Sequence, residues 1–73
     1  MAFLPIIKPE KLVRIVERQG FVRIRQSGSH AIFRHPDGRF TSIPIHRKTT
    51  GKGLLRKILR DIKISPQEFK ELV

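Results

Sequence analysis

The fold of this chain turns on the run Phe21-Val22-Arg23-Ile24-Arg25-Gln26-Ser27-Gly28-Ser29-His30-Ala31-Ile32-Phe33-Arg34-His35-Pro36-Asp37-Gly38-Arg39-Phe40-Thr41-Ser42-Ile43-Pro44-Ile45. Val22 and Ile24 alternate with Arg23 and Arg25, the period of a half-buried strand. Ser27-Gly28 supplies a two-residue hairpin turn, with glycine able to take positive φ. His30, Ile32 and Arg34 then alternate with Ala31, Phe33 and His35, and Pro36-Asp37-Gly38 marks the next turn. A third strand covers Phe40 to Ile45, where Pro44 argues for an edge strand or a strand end.

The same alternation predicts a register, because only certain offsets keep one face apolar. With Val22, Ile24, Ala31, Phe33, Ile43 and Ile45 on the core face, Phe33 pairs with Ile43 and Ala31 with Ile45. That pairing leaves Asp37-Gly38-Arg39 as the second loop and sets His30 opposite His46. With Ser27-Gly28 as the first loop, Arg25 lies on the other side of His30. Opposed Cβ atoms sit ~5 Å apart. The outer face is therefore expected to carry Arg25, His30 and His46 in one row.

Outward from this core the periodicity becomes helical. Pro9 suits a first helical turn, Leu12, Ile15, Val16 and Gln19 share one face, and Gly20 is placed to stop the helix. Arg47 to Gly53 reads as a polar loop. Leu54, Leu55, Ile58, Leu59 and Ile62 form a second amphipathic helix. Ser65-Pro66-Gln67-Glu68 is a capping-box signature that opens a short third helix with Phe69 and Leu72. The order α-β-β-β-α with a short C-terminal helix predicts an α+β two-layer sandwich. Its three-stranded antiparallel sheet has helices on one face.

At 73 residues the chain reads as a single domain over residues 1–73, with no cysteine to staple it. The apolar opening Met1-Ala2-Phe3-Leu4-Pro5-Ile6-Ile7 has neither a basic leader nor a cleavage motif. Phe3-Leu4-Pro5-Ile6-Ile7 is expected to pack on the domain or meet a partner, and the default compartment is the cytoplasm. The formal net charge is +10. Between Arg23 and Arg60 the basic residues are opposed by Asp37 alone, whereas the flanking segments are nearly balanced. A one-signed centre calls for a polyanionic partner. No basic helix carries a broad aromatic face, so a membrane surface fits less well.

Gly20-Phe21, Gly28-Ser29-His30, Ile43-Pro44-Ile45-His46, and Gly53 with Leu55, Ile58 and Leu59 occur in an order and spacing that resembles the HicA (YcfA-like) toxin family. The fold order itself resembles the double-stranded-RNA-binding fold. The resemblance runs from Leu4-Pro5 to Ser65-Pro66-Gln67-Glu68-Phe69. It implies a ribosome-independent endoribonuclease that cuts mRNA and arrests translation, neutralised by a HicB-type antitoxin. It also implies that His30 is the functional histidine. One departure is Gly53-Leu54-Leu55, where the family usually has Gly-Thr-Leu; Thr49 and Thr50 lie nearby.

RNA can be cut without metal because its 2′-OH can attack the adjacent phosphate. That reaction needs a base, an acid, and cations for the charge gathering on phosphate. Histidine suits the proton transfers near neutrality and arginine suits the phosphate. His30 is the candidate acid or base. His46 and Arg25 are candidates for the complementary group or a phosphate contact; for His46, a strand-end residue held by a backbone hydrogen bond is the competing reading. Arg23, Arg34, Lys48 and Lys52 are candidate RNA-binding residues. Gly28 and Ser29 shape the turn, and Ser29 should point away from His30, which disfavours a serine nucleophile. Thr50-Gly51-Lys52-Gly53 is either a phosphate-binding helix start or an ordinary loop. His35 is given no role. The histidines have no metal-ligand spacing, so neither metal nor cofactor is expected. A non-catalytic RNA-binding module of the same fold is the alternative, with a DNA-binding or ribosome-associated protein behind it.

Overall fold

The computed structural model describes Leu4 and residues 6–73. Its element order is α1 (Pro9–Arg18), β1 (Val22–Ser27), β2 (His30–Arg34), β3 (Phe40–Pro44), α2 (Lys52–Ile62) and α3 (Pro66–Leu72). The strands form an antiparallel sheet in the order β1-β2-β3. Ala31, Phe33, Thr41 and Ile43 turn one face of that sheet toward the helices. They are buried in one body with Leu12 and Val16 of α1, Leu55, Ile58 and Ile62 of α2, and Phe69 of α3. This is the two-layer α+β arrangement that the sequence implies.

Each helix ends where its local chemistry dictates. After α1, the Gly20 amide donates to Glu17 O and the Phe21 amide to Val16 O, while Gly20 takes φ +96. Together these bonds form a Schellman stop, satisfying carbonyls that the last turn leaves open. In α3 the Ser65 hydroxyl accepts the Glu68 amide at 3.1 Å and Glu68 reaches back to the Ser65 amide, closing the capping box. At the end of α2 the same kind of stop is made by Lys63, with φ 57 and ψ 42. A side chain at left-handed φ costs roughly 1–2 kcal/mol that glycine avoids. Lys63→Gly is expected to stabilise the fold by up to ~1 kcal/mol once glycine's larger unfolded-state entropy is counted. A urea-unfolding midpoint at or below that of wild type would contradict this.

Three expectations about the strands require correction. The first hairpin turn is Gly28-Ser29, not Ser27-Gly28, so that Ser27 pairs with His30. Gly28 has φ +59 and Ser29 does not have positive φ, the pattern of a type II′ turn whose twist matches the strands. The second loop is Pro36-Asp37-Gly38, with the His35 amide donating to Arg39 O and the Gly38 amide to His35 O. Proline's fixed φ opens this turn and Gly38, at φ +99, closes it. Phe33 therefore pairs with Thr41, Ala31 with Ile43, and His30 with Pro44. β3 is the edge strand that Pro44 foretold, and it ends on that residue.

The third correction concerns β1. Its pairing with β2 slips between Arg23 and Arg25, a bulge at Ile24. One extra residue inverts the alternation across it. Val22 thus shares the outer face with Arg34, and Arg23 takes the core-side position beside Phe33. Val22 and Ile24, expected in the core, are 60% and 53% exposed, and every residue of β1 is exposed. The helices pack principally on β3, leaving β1 to overhang. Arg23 lays its guanidinium 5.4 Å from the Phe33 ring centroid, covering with its stem what an apolar residue would otherwise cover.

At the N-terminal side Leu4 and Ile7 are buried and Ile6 is exposed. The expectation that this segment packs on the domain holds for those two residues; Met1, Ala2, Phe3 and Pro5 lie outside the described residues. Among the described residues no helix is long and apolar enough to cross a membrane.

Candidate nucleic-acid interface

Among the described residues, Val22, Arg25, Ser27, His30, Arg34 and Phe40 on the outer face of the sheet are all exposed. Taken across the strands, the rows of that face are Val22, Arg34 and Phe40; then Arg25, Ile32 and Ser42; then Ser27, His30 and Pro44. None of these nine residues is acidic. His30 is the first residue of β2 and is exposed, immediately after the Gly28-Ser29 turn. A Cβ built on Gly28 would meet nothing within 4 Å. The turn is therefore open to a close-approaching ligand, and glycine is there for its positive φ. The Gln26 side-chain amide donates to Gly28 O at 3.1 Å, and Ser29 O accepts the Ile45 amide at 2.8 Å. These two bonds tie the turn to both neighbouring strands.

The expected row of Arg25, His30 and His46 does not form. Arg25 pairs with Ile32, so it is the diagonal neighbour of His30, at a separation of ~7–8 Å that a long side chain can span. His46 lies two residues beyond β3, exposed, at the end of the sheet that carries the Gly28-Ser29 turn. Continued past Pro44, the pairing would set it against Gly28. Of the other cationic candidates, Arg34 shares the outer face with His30. Arg23 does not, because of the bulge. Lys48 is exposed between β3 and α2, and Lys52 opens α2.

A second basic surface runs down α2. Lys52, Arg56 and Arg60 recur at every fourth residue, Lys63 follows, and all are exposed. No acidic residue stands in the first turn of the helix and no side chain caps it. Lys57 is neutralised by Asp61 at 3.0 Å. Like charges four residues apart cost a few tenths of a kcal/mol per pair, a cost that a polyanion removes. Thr50 does not supply the missing cap. Its amide donates to Ile7 O, and its buried hydroxyl has no hydrogen-bond partner among the described residues. Thr49 is exposed. Of the two readings of Thr50-Gly51-Lys52-Gly53, a phosphate-binding helix start or an ordinary loop, the structure shows that α2 begins at Lys52, after Gly51 as N-cap.

His35 belongs to the framework. Its ring meets Phe21 edge-on at 5.2 Å, and a Cβ on Gly20 would come within 2.9 Å of Nε2. Its Nδ1 lies 3.1 Å from the Asp37 amide and 3.0 Å from Asp37 Oδ1. The neutral ring accepts the amide proton; the charged ring pairs with the carboxylate. Arg39 stands over Phe21 at 5.1 Å, pairs with Asp37 and donates to Ile62 O. The Arg39 amide, then its guanidinium, holds the Asp37 carboxyl below the usual carboxylate range. This knot fixes the β2–β3 loop to the ends of α1 and α2. The role of Arg39 is not legible in the sequence because two of its partners, Phe21 and Ile62, are remote in the chain.

Hollows of about 480, 380 and 190 Å³ are lined by residues near Ile6 and Val73, near Gly38 and Asp61, and near Val13 and Arg23. His30 lines none of these three. An exposed histidine on an open cationic face suits a polymer lying across it better than an enclosed small molecule. Among the described residues no three acidic or histidine side chains gather as a metal site.

The model of the HicA toxins of bacterial toxin–antitoxin systems matches residues 9–64, from the start of α1 to just past α2. The chain belongs to the HicA toxin family. A HicA-family chain is the toxin of a toxin–antitoxin pair, with an antitoxin as protein partner and RNA as its target. No curated protein matched this HicA-family chain. The matched segment takes in the whole sheet and therefore both the Gly28-Ser29 turn and His30.

Proposed function

We propose that this HicA-family toxin is a metal-independent endoribonuclease that cleaves mRNA through acid–base chemistry at His30. The observation that carries this reading is the exposed imidazole at the start of β2, on a sheet face with two arginines and no carboxylate. A phosphodiester set against His30 would meet Arg25 on the diagonal and the open turn at Gly28. His30 takes the proton from the 2′-OH as that oxygen attacks phosphorus, or gives one to the departing 5′-oxygen. Arg25 faces the charge growing on the non-bridging oxygens. His46 stands at the same end of the sheet as the complementary proton donor or a phosphate contact. The P–O5′ bond breaks as the P–O2′ bond forms, leaving a 2′,3′-cyclic phosphate and a free 5′-OH.

The chemistry makes its own test. Cleavage of a short RNA should survive EDTA and cease when the nucleotide 5′ to the cut carries 2′-H in place of 2′-OH. Strong inhibition by EDTA, or continued cutting of the 2′-deoxy substrate, would refute the mechanism. The antitoxin is proposed to be HicB-type and to cover this basic face. Its addition should displace RNA, and simultaneous binding of both would exclude that arrangement.

A further inference from the structure

Phe40 is a phenyl ring left 65% exposed on the outer face, next to Arg34, with Val22 60% exposed at the other end of the same row. The core does not use it: Thr41 and Ile43 fill the core side of β3, while Phe40 borders the open hollow it shares with Asp61 and Lys63 at the end of α2. We propose that Phe40, with Arg34 beside it, is a stacking site for one unpaired nucleobase of a single-stranded RNA. This proposal rests on the reading that the RNA is cut at His30, and it adds where the chain is gripped.

An aromatic ring on an open sheet offers a π-face that any unstacked base can cover, while a neighbouring guanidinium takes a phosphate or extends the stack. Rings interleaved with cations are the pattern of single-strand binders. Here Phe40 and Arg34 are followed by Arg25 and then His30, with no acid among the nine outer-face residues. The nearest carboxylates, Asp37 and Asp61, are held by Arg39 and Lys57. Continuity with His30 on one cationic face favours RNA over a protein segment as the occupant.

The strand also sets the spacing. Arg34 and His30 are four residues apart on β2, or ~13 Å at ~3.3 Å per residue. That spans at most about four nucleotides at a stacked rise of ~3.4 Å, and fewer when the chain is stretched. The gripped base therefore lies within about four nucleotides of the cut.

The test uses single-stranded RNAs carrying 2-aminopurine at successive positions, bound to the His30→Ala protein so that nothing is cut. One position should change strongly in fluorescence. Adding Phe40→Ala should abolish that change and weaken binding by roughly tenfold or more, the loss expected for one base stack. Phe40→Trp should restore both signals and Phe40→Leu should not, because the ring and not its apolar area is required. Thermal unfolding should be unaltered throughout, since the side chain is exposed. Unchanged RNA binding by Phe40→Ala, recovery by leucine, or loss of antitoxin affinity alone would overturn the stacking site. If wild type cuts RNA and Phe40→Ala cuts it with the same KM, the nuclease stands and the stacking site falls. If the fluorescence signature appears but wild type cuts nothing, the nuclease falls and the stacking site stands.

Discussion

His30→Ala is expected to lose RNA cleavage by 10²–10⁴-fold, the range that one positioned acid or base typically contributes, and with it the arrest of cell growth. The folded state should be unaffected. His30 is exposed, and its cross-strand neighbours are Ser27 and Pro44. RNA affinity should fall little, because Arg25, Arg34 and the α2 cations remain. The measurement is cleavage of a defined RNA beside binding by anisotropy and a thermal melt. A variant that still cuts within a few-fold of wild type would remove His30 from the mechanism. A variant with a lowered melting temperature would mean that the residue has a structural role which its exposure does not reveal.

Phe33→Ala, three residues along the same strand but on the other face, should do the reverse. Phe33 is fully buried, pairs with Thr41 and lies under Arg23. Truncating such a ring costs ~3–5 kcal/mol, transfer and cavity together. A core of this size rarely supplies more than ~3–5 kcal/mol. The variant should be largely unfolded at 25 °C, and its loss of activity should track its loss of structure. Urea titration by circular dichroism decides it. A cooperative transition near the wild-type midpoint would show that the sheet is not anchored through Phe33. Together the two variants separate the faces of β2, one for chemistry and one for folding.

Much of this architecture was readable from residue order. Helix ends were legible because glycine at Gly20 and the Ser65/Glu68 pair each have one strong local use. The faces of β2 and β3 were legible because alternation fixes which side of a sheet a residue takes. It does not fix which residue lies opposite, since a slip of two keeps every side chain on its own face. The true loop, Pro36-Asp37-Gly38, moved the β2–β3 pairing by two residues. His30 stayed on the outer face but lost His46 as its direct neighbour. β1 misled for a different reason. A bulge leaves no mark in composition, so Val22 and Ile24 looked like core residues, although the helices pack principally on β3. Phe40 has the same parity as Ser42 and Pro44, opposite to buried Thr41 and Ile43, and only the structure shows how little covers it.

The bulge at Ile24 bears on how the free toxin keeps company with itself. Among the described residues no strand pairs with the outer edge of β1, beside exposed Val22 and Ile24, which invites another copy to add a strand. Two safeguards stand against this: the kink interrupts the straight run of amides, and Arg23 and Arg25 repel an identical edge. RNA on the open face would screen Arg25, whereas Arg23, on the core side beside Phe33, lies off that face. Part of the charge that keeps two copies apart is therefore independent of whether the open face is occupied.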